Sequence, residues 1–411
     1  MSTMSKPTFI SHRQHVPESP AAYGDGSLRL IKDMVAEALA GCGMMPGEIR
    51  GKRIMIKPNL VRPNLELQPT VSTDPRVVIA LCELLVDYGG RVTVGENPGY
   101  GFSARAAFRA GGLAWPLRRM NVDVCFFDED LSVRIDNPRG LLLRWIYAAR
   151  SLVDAELLVN VPKLKTHMHT LVSLCFKNLQ GVLLDPQRRL FHREDIHQKI
   201  VDTALAFTPH LNVVDGLWAM EGQAPFFGRS IPDCNVIVAG QDMLHTDVVC
   251  ARLMGVRPEE VSHLRIAAAM GFGDLDINRR PLAGVPVESA ERRFLRPVVS
   301  NAGAYPGITV IEAGACSGCM SGLRHSLDKL NFEGRLGEVG ECTIFMGRPM
   351  PNTKNLRCWR GTLWLFGNCA VDLVFSHPER RLAHRFLPGC APHVLDFYQA
   401  VTATAATHPQ P

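Results

Sequence analysis

No apolar stretch in this 411-residue sequence runs beyond about six residues, far short of the ~18–20 that a membrane helix needs. No membrane role is expected. The opening segment, MSTMSKPTFISHRQHV, holds neither an apolar run nor a twin arginine. An export signal is therefore missing, and a cytoplasmic location is expected. GxGxxG after a strand is absent, which removes the usual nicotinamide or flavin fingerprint. Neither charge sign prevails: 45 Lys and Arg against 40 Asp and Glu leave +5, too mild and dispersed for a nucleic-acid surface. That balance is compatible with a small anionic ligand. Internal repeats and low-complexity tracts are lacking too.

What is present is an ordinary globular composition, 46% hydrophobic and 21% charged, long enough for two domains with their own cores. Strand Arg53–Ile56, helix Arg76–Tyr88, strand Arg91–Val94, helix Ala104–Ala110 and strand Val122–Phe126 alternate, with glycines at the junctions. That rhythm predicts βαβ units in a parallel sheet. Ala155–Val161 reads as a strand buried on both faces. Leu171–Leu179 and Ile196–Ala206 read as helices, Leu211–Val214 and Asn235–Ala239 as strands, and Asp247–Met254 and Pro258–Met270 as helices. Pro281–Tyr305 has no clean period and reads as a connector. Strands restart at Ile308–Glu312, Cys342–Phe345 and Thr362–Phe366. The expected fold is α/β, with a parallel-sheet region over 1–300, in one or two lobes, and a small α/β domain over 301–411.

Twelve cysteines are many for a chain expected to stay reduced. Cys42, Cys82, Cys125, Cys175, Cys234 and Cys250 are scattered, mostly in apolar settings, and read as small buried hydrophobes. Near the C-terminus, Cys316 and Cys319 (GACSGC), Cys369 (GNCA) and Cys390 (PGCAP) lie in glycine-bearing loops before helix-like runs. In a parallel sheet such loops gather at the carboxyl edge, where ligands bind. Four thiolates there can hold an iron–sulfur cluster or zinc; a CxxC acting alone would be a redox dithiol. Cys342 opens a strand, and Cys358 is a substitute ligand at most.

Upstream, PKLKTH places Lys163, Lys165 and His167 alternately on one side of an extended segment. Ser173, Lys177 and Asn178 follow, with Ser173 and Lys177 spaced i, i+4. Such a cluster is either a solvated basic loop or a seat for a carboxylate or phosphate. His167 is a candidate general acid or base. His169, His192 and His197 add no carboxylate spaced to complete a metal site. Asp215, read as the end of a strand, is a candidate partner for His167; Glu221 and Asp242 fall on the same edge, and Asp242 can equally cap the following helix.

Two resemblances follow from these motifs. KPNLV (57–61), TDP (73–75), PKLKTH (162–167), FKNLQG (176–181), VDG (214–216), EGQAP (221–225) and AGQD (239–242), taken in order, resemble the domain of unknown function 362 proteins. The resemblance singles out Lys57, Asn59, Lys163, Lys165, His167, Lys177, Asn178, Asp215, Glu221 and Asp242 as site residues. Members often accompany iron–sulfur modules of ferredoxin type, but the CxxCxxCxxxCP run of those modules is absent from this sequence. CxGC, GNCA and GC-P resemble instead the cluster-binding domain of nickel–iron hydrogenase small subunits, and more loosely the cognate subunit of respiratory complex I. The first likeness implies a flavodoxin-like domain holding a [4Fe–4S] cluster on Cys316, Cys319, Cys369 and Cys390; Ala391 departs from the proline usual in those families. A more remote likeness is to the nickel-pincer lactate racemase group.

The expectation is an iron–sulfur oxidoreductase acting on a small carboxylate or phosphate, with His167, Lys165 and Asp215 catalytic and a separate electron donor such as a ferredoxin. Two alternatives stay open. One is a non-catalytic electron-transfer or scaffold protein; the other is a redox-neutral racemase or lyase with a structural cluster.

Overall fold

The computed structural model describes residues 5–16, 25–63, 68–99, 102–349, 360–376 and 384–407. The chain divides into two compact units, residues 1–189 with 197–297, and residues 190–196 with 298–411.

In the first unit the strands are β1 (Thr8–His12), β2 (Arg53–Pro58), β3 (Arg91–Glu96), β4 (Asp123–Phe126), β5 (Ser132–Asp136), β6 (Trp145–Ala149), β7 (Leu157–Val161), β8 (Lys163–His167), β9 (Leu171–Val172), β10 (Leu211–Gln223), β11 (Phe227–Ile231), β12 (Val236–Gly240) and β13 (Leu282–Gly284). The main sheet runs β13-β1-β12-β10-β7-β2-β3-β4. From β10 to β4 every neighbour is parallel, whereas β12 is antiparallel to both β10 and β1. Strands β5 and β6 form a separate hairpin sheet. The α/β class and the mostly parallel sheet are as the sequence indicated.

Helix Pro75–Asp87 shows why one such element forms. Asp74 caps it by accepting from the Arg76 N–H, and Pro75 sits in its first turn, where a missing N–H costs nothing. Val77, Val78, Leu81, Leu84 and Leu85 are buried against Ile54, Ile56, Val92 and Val94 of the sheet in one core cluster. Each fully buried aliphatic side chain contributes about 1.5–3 kcal/mol.

Several boundaries differ from expectation. Strand β1 and helix Asp25–Gly41 precede the first segment read from sequence. Part of the expected connector is strand β13 and helix Val287–Ala290. The helix expected over 171–179 is only Leu174–Asn178, with Ser173 at its N-cap and β9 before it, so Ser173 and Lys177 do not share two helical turns. Strand β10 continues through Gln223; Asp215 therefore lies inside a strand and not at its end.

The second unit contains a four-stranded parallel sheet, β14 (Ile308–Ala313), β15 (Cys342–Gly347), β16 (Thr362–Phe366) and β17 (His384–Leu387), in sequential order. Among the described residues, its four strands follow one another in chain order, without the exchange of the first two that marks a flavodoxin sheet. Helices Ser317–Phe332 and Asp396–Thr407 pack on one face, burying Leu323, Leu327, Leu330, Phe397 and Val401 against Ile344, Trp364 and Phe366. Among the described residues, no helix is long and apolar enough to cross a membrane.

Candidate functional site

Lys57, Lys163, Lys165 and Lys177 are buried, not spread on a solvated loop. Lys57, at the end of β2, and Lys163, opening β8, are both 0% exposed, and Lys165 is 1% exposed. Burial of an ammonium costs several kcal/mol unless it is paired, and the structure supplies the pairs. Lys57 Nζ donates to Glu96 Oε2 at 2.8 Å. Lys163 Nζ donates to Asp215 Oδ2 at 2.8 Å, and that carboxylate also accepts the Asp74 N–H at 2.6 Å and the Leu217 N–H at 3.0 Å. Asp74 in turn pairs with the fully buried Arg76 at 2.7 Å. Burial pushes Glu96 and Asp215 up, against the pull of their lysines. Asp215 thus fixes Lys163 and the 73–75 turn; it does not orient His167 through any hydrogen bond in the structure.

Lys165 is different. Its Nζ donates to Asn59 Oδ1 and to the Val71 carbonyl, each at 2.6 Å. Both acceptors are uncharged. A protonated lysine carries three N–H donors, whereas a neutral amine carries two and a lone pair. Neither acceptor supplies a negative charge to compensate an ammonium. The electrostatics agree: burial first, then the charges of Lys177 and Lys163, hold Lys165 well below its ordinary value, only weakly opposed by Glu96.

A line of amides anchors this lysine. Asn59 Nδ2 donates to Asn178 Oδ1 at 2.9 Å, Asn178 Nδ2 to Asn160 Oδ1 at 2.8 Å, and Asn160 Nδ2 to Asn212 Oδ1 at 3.0 Å. Lys177 donates to Gln180 Oε1; burial, and next the charge of Lys57, push it down to about 7. Gly181 lets the Lys57–Glu96 pair lie against it: a Cβ there would stand 2.1 Å from Glu96 Oε1 and 2.6 Å from Lys57 Nζ and would displace them. His167 is 5% exposed, and its Nδ1 accepts the His169 N–H at 3.1 Å. A neutral His167 therefore carries its proton on Nε2.

The structure brings together Lys57, Asn59, Lys163, Lys165, Lys177, Asn178 and Asp215, but it employs Glu221 and Asp242 elsewhere. Glu221 accepts from Arg229 across the β10–β11 hairpin and from the Leu295 N–H at 2.7 Å. Asp242 caps helix Met243–Leu253 by accepting from the His245 N–H at 2.8 Å, and it pairs with Arg280 at 2.9 Å. Sequence reasoning did not place Glu96, Asn160, Asn212 and Arg76 in this network. The signal available for Glu96 was its position at the carboxyl end of β3, beside the strand that ends in Lys57.

In the second unit Cys316 follows β14 at the N-cap of helix Ser317–Phe332, and Cys319 sits in its first turn. Cys369 follows β16, and Cys390 follows β17. The last two loops are clasped: Asn368 N donates to Gly389 O at 2.9 Å, and Gly389 N to Asn368 Oδ1 at 2.8 Å. A Cβ on Gly367 would stand 2.9 Å from Cys319 Sγ, and one on Gly318 3.1 Å from Ala391, so the three loops meet. The Cys319 thiol is held up by Cys316 first, then by burial and by the charges of Cys390 and Cys369. Beside it the Cys316 thiol is drawn down to about 5 by the neighbouring Cys319 thiol and by nearby backbone N–H groups.

Among the described residues, no group of three or more His, Cys, Asp or Glu can hold a metal ion. Cys342 is buried in β15 within the apolar core, and Cys358 lies outside the described residues.

Residues 54–252 match the family model described as Domain of unknown function (DUF362). The match contains every lysine-site residue and none of the four C-terminal cysteines. A thylakoid-associated protein of Synechocystis sp. is 27% identical over 260 residues, 61% of this chain and 77% of that protein. Among solved structures, the lactate racemase apoprotein from Thermoanaerobacterium thermosaccharolyticum is similar at 13% identity with a TM-score of 0.38, over 62% of this chain. The chain spans 58% of that structure, a likeness too loose to transfer chemistry.

Proposed function

We propose that the protein is an iron–sulfur enzyme acting on a small anion, a carboxylate or phosphate, held at the buried lysine cluster. The observation that carries this reading is Lys165: a buried amine with two neutral acceptors, set among three further lysines. Lys177 binds the anion by taking up a proton, which restores its charge against the incoming negative group. Lys165 keeps its lone pair free to accept a proton from the substrate. His167 is the second acid–base group on the same strand. In the second unit Cys316, Cys319, Cys369 and Cys390 would hold a [4Fe–4S] cluster, which when bound supplies one-electron transfer from a donor such as a ferredoxin. A redox-neutral proton transfer is the second reading, favoured by the same free lone pair, which needs no electron donor.

The test is the pH dependence of succinate binding by calorimetry on the intact protein. Succinate keeps its charge from pH 7 to 9, so changes in affinity report the protein. Binding that requires a protonated Lys177, with its value of about 7, weakens about tenfold per pH unit above that point. Lys177→Met is expected to bind weakly at every pH. Affinity that stays flat to pH 9, or that survives in Lys177→Met, would remove the lysine cluster as the anion site.

A further inference from the structure

A concave site is lined by none of the lysine-cluster residues. A cavity of about 370 Å³ is lined by Arg252, Arg257, Arg293 and Arg296, with Val256 and Phe294 among its apolar walls and Glu291 as an acid. Its size falls within the usual range for small-molecule sites, about 300–1,000 Å³.

The arginines stand on fixed main chain. Arg252 occupies the last turn of helix Met243–Leu253, where a cation is favourable. The 292–294 segment is tied to the end of that helix, Arg292 N donating to Leu253 O at 2.8 Å and Phe294 N to Met254 O at 3.1 Å. Gly255, at φ +67, lets Arg293 lie close; a Cβ there would stand 3.1 Å from Arg293 Cγ. Arg296 is braced by Glu260 at 2.8 and 3.1 Å, and Arg257 approaches the same carboxylate at 3.5 Å. Arg252 and Arg293, by contrast, hold no side-chain hydrogen bond or ion pair among the described residues. Four guanidinium groups against Glu260 and Glu291 leave two positive charges uncompensated.

We propose that this cavity binds a phosphate monoester. Arg252 and Arg293 take the dianion in bidentate hydrogen bonds, the geometry for which a guanidinium is suited, and the organic part rests on Val256 and Phe294. This site is independent of the lysine cluster.

Phenyl phosphate and inorganic phosphate serve as probes, read by calorimetry on the full chain. The expected result is tighter binding of phenyl phosphate than of inorganic phosphate, weakened at least ~10-fold in Arg252→Gln/Arg293→Gln. Both arginines are exposed, so the variant should fold, and an unchanged melting temperature verifies it. The same variant should bind succinate as wild type does, whereas Lys177→Met should keep the phenyl phosphate binding that the double arginine variant loses. Equal phenyl phosphate binding by wild type and the double arginine variant overturns the assignment. So does loss of that binding in Lys177→Met alone.

Discussion

Single replacement of Cys316, Cys319, Cys369 or Cys390 by Ala is expected to take anaerobically purified protein from about four irons per chain to near none. The effect is large because a cluster that loses one of four thiolates exposes an iron. The three loops that carry these residues are mutually fixed, through Asn368 with Gly389 and through Gly367 against Cys319. Cys82, buried in the core of the first unit, is the control, and Cys82→Ala should leave iron unchanged. Iron and acid-labile sulfide analysis reads the outcome. Zinc in place of iron, or iron retained in all four variants, contradicts the cluster reading.

Asp215→Ala is expected to destabilise the protein by about 3–5 kcal/mol, since it strands the Lys163 ammonium in a dry site. Both side chains are 0% exposed, and the carboxylate also receives the Asp74 and Leu217 N–H groups. That loss is a large share of the ~5–15 kcal/mol by which domains are typically stable. Lys163→Met/Asp215→Leu should recover much of it, because two apolar groups leave no unpaired charge. Urea titration measures both. A loss below about 1 kcal/mol in Asp215→Ala would show that the pair is not buried as described. The result also separates roles in the proposed site: Lys163 holds the fold, and the anion is left to Lys177.

The parallel sheet was legible because β2, β3 and β7 are short apolar runs bounded by glycine and proline, and local pattern decides such elements. Strand β1 was not. Its residues Thr8–His12 alternate weakly and acquire their strand from Val236–Gly240, more than two hundred residues on. Strand β10 was cut short in sequence because Asp215-Gly216 looks like a turn; Lys163 on the neighbouring strand neutralises the aspartate and lets the strand continue. The clustering of the lysines was legible, but not which of them are paired, since Glu96 and Asp74 lie far from their partners in sequence or act through the backbone. Asp242 and Glu221 have structural contacts that local pattern shows only in part. Both are acids on the expected edge, and both are absorbed by a helix cap and a hairpin.

The central claim is that the buried cluster holds amines kept short of full protonation, ready for an anion. Side-chain nitrogen NMR of isotopically labelled lysines, assigned with Lys165→Arg and Lys177→Arg, tests it directly. One amine, Lys177, should titrate at about 7, and Lys165 should titrate well below 10.5. Succinate should raise the Lys177 value. Ordinary titration of both near 10.5, unmoved by succinate, would contradict the account.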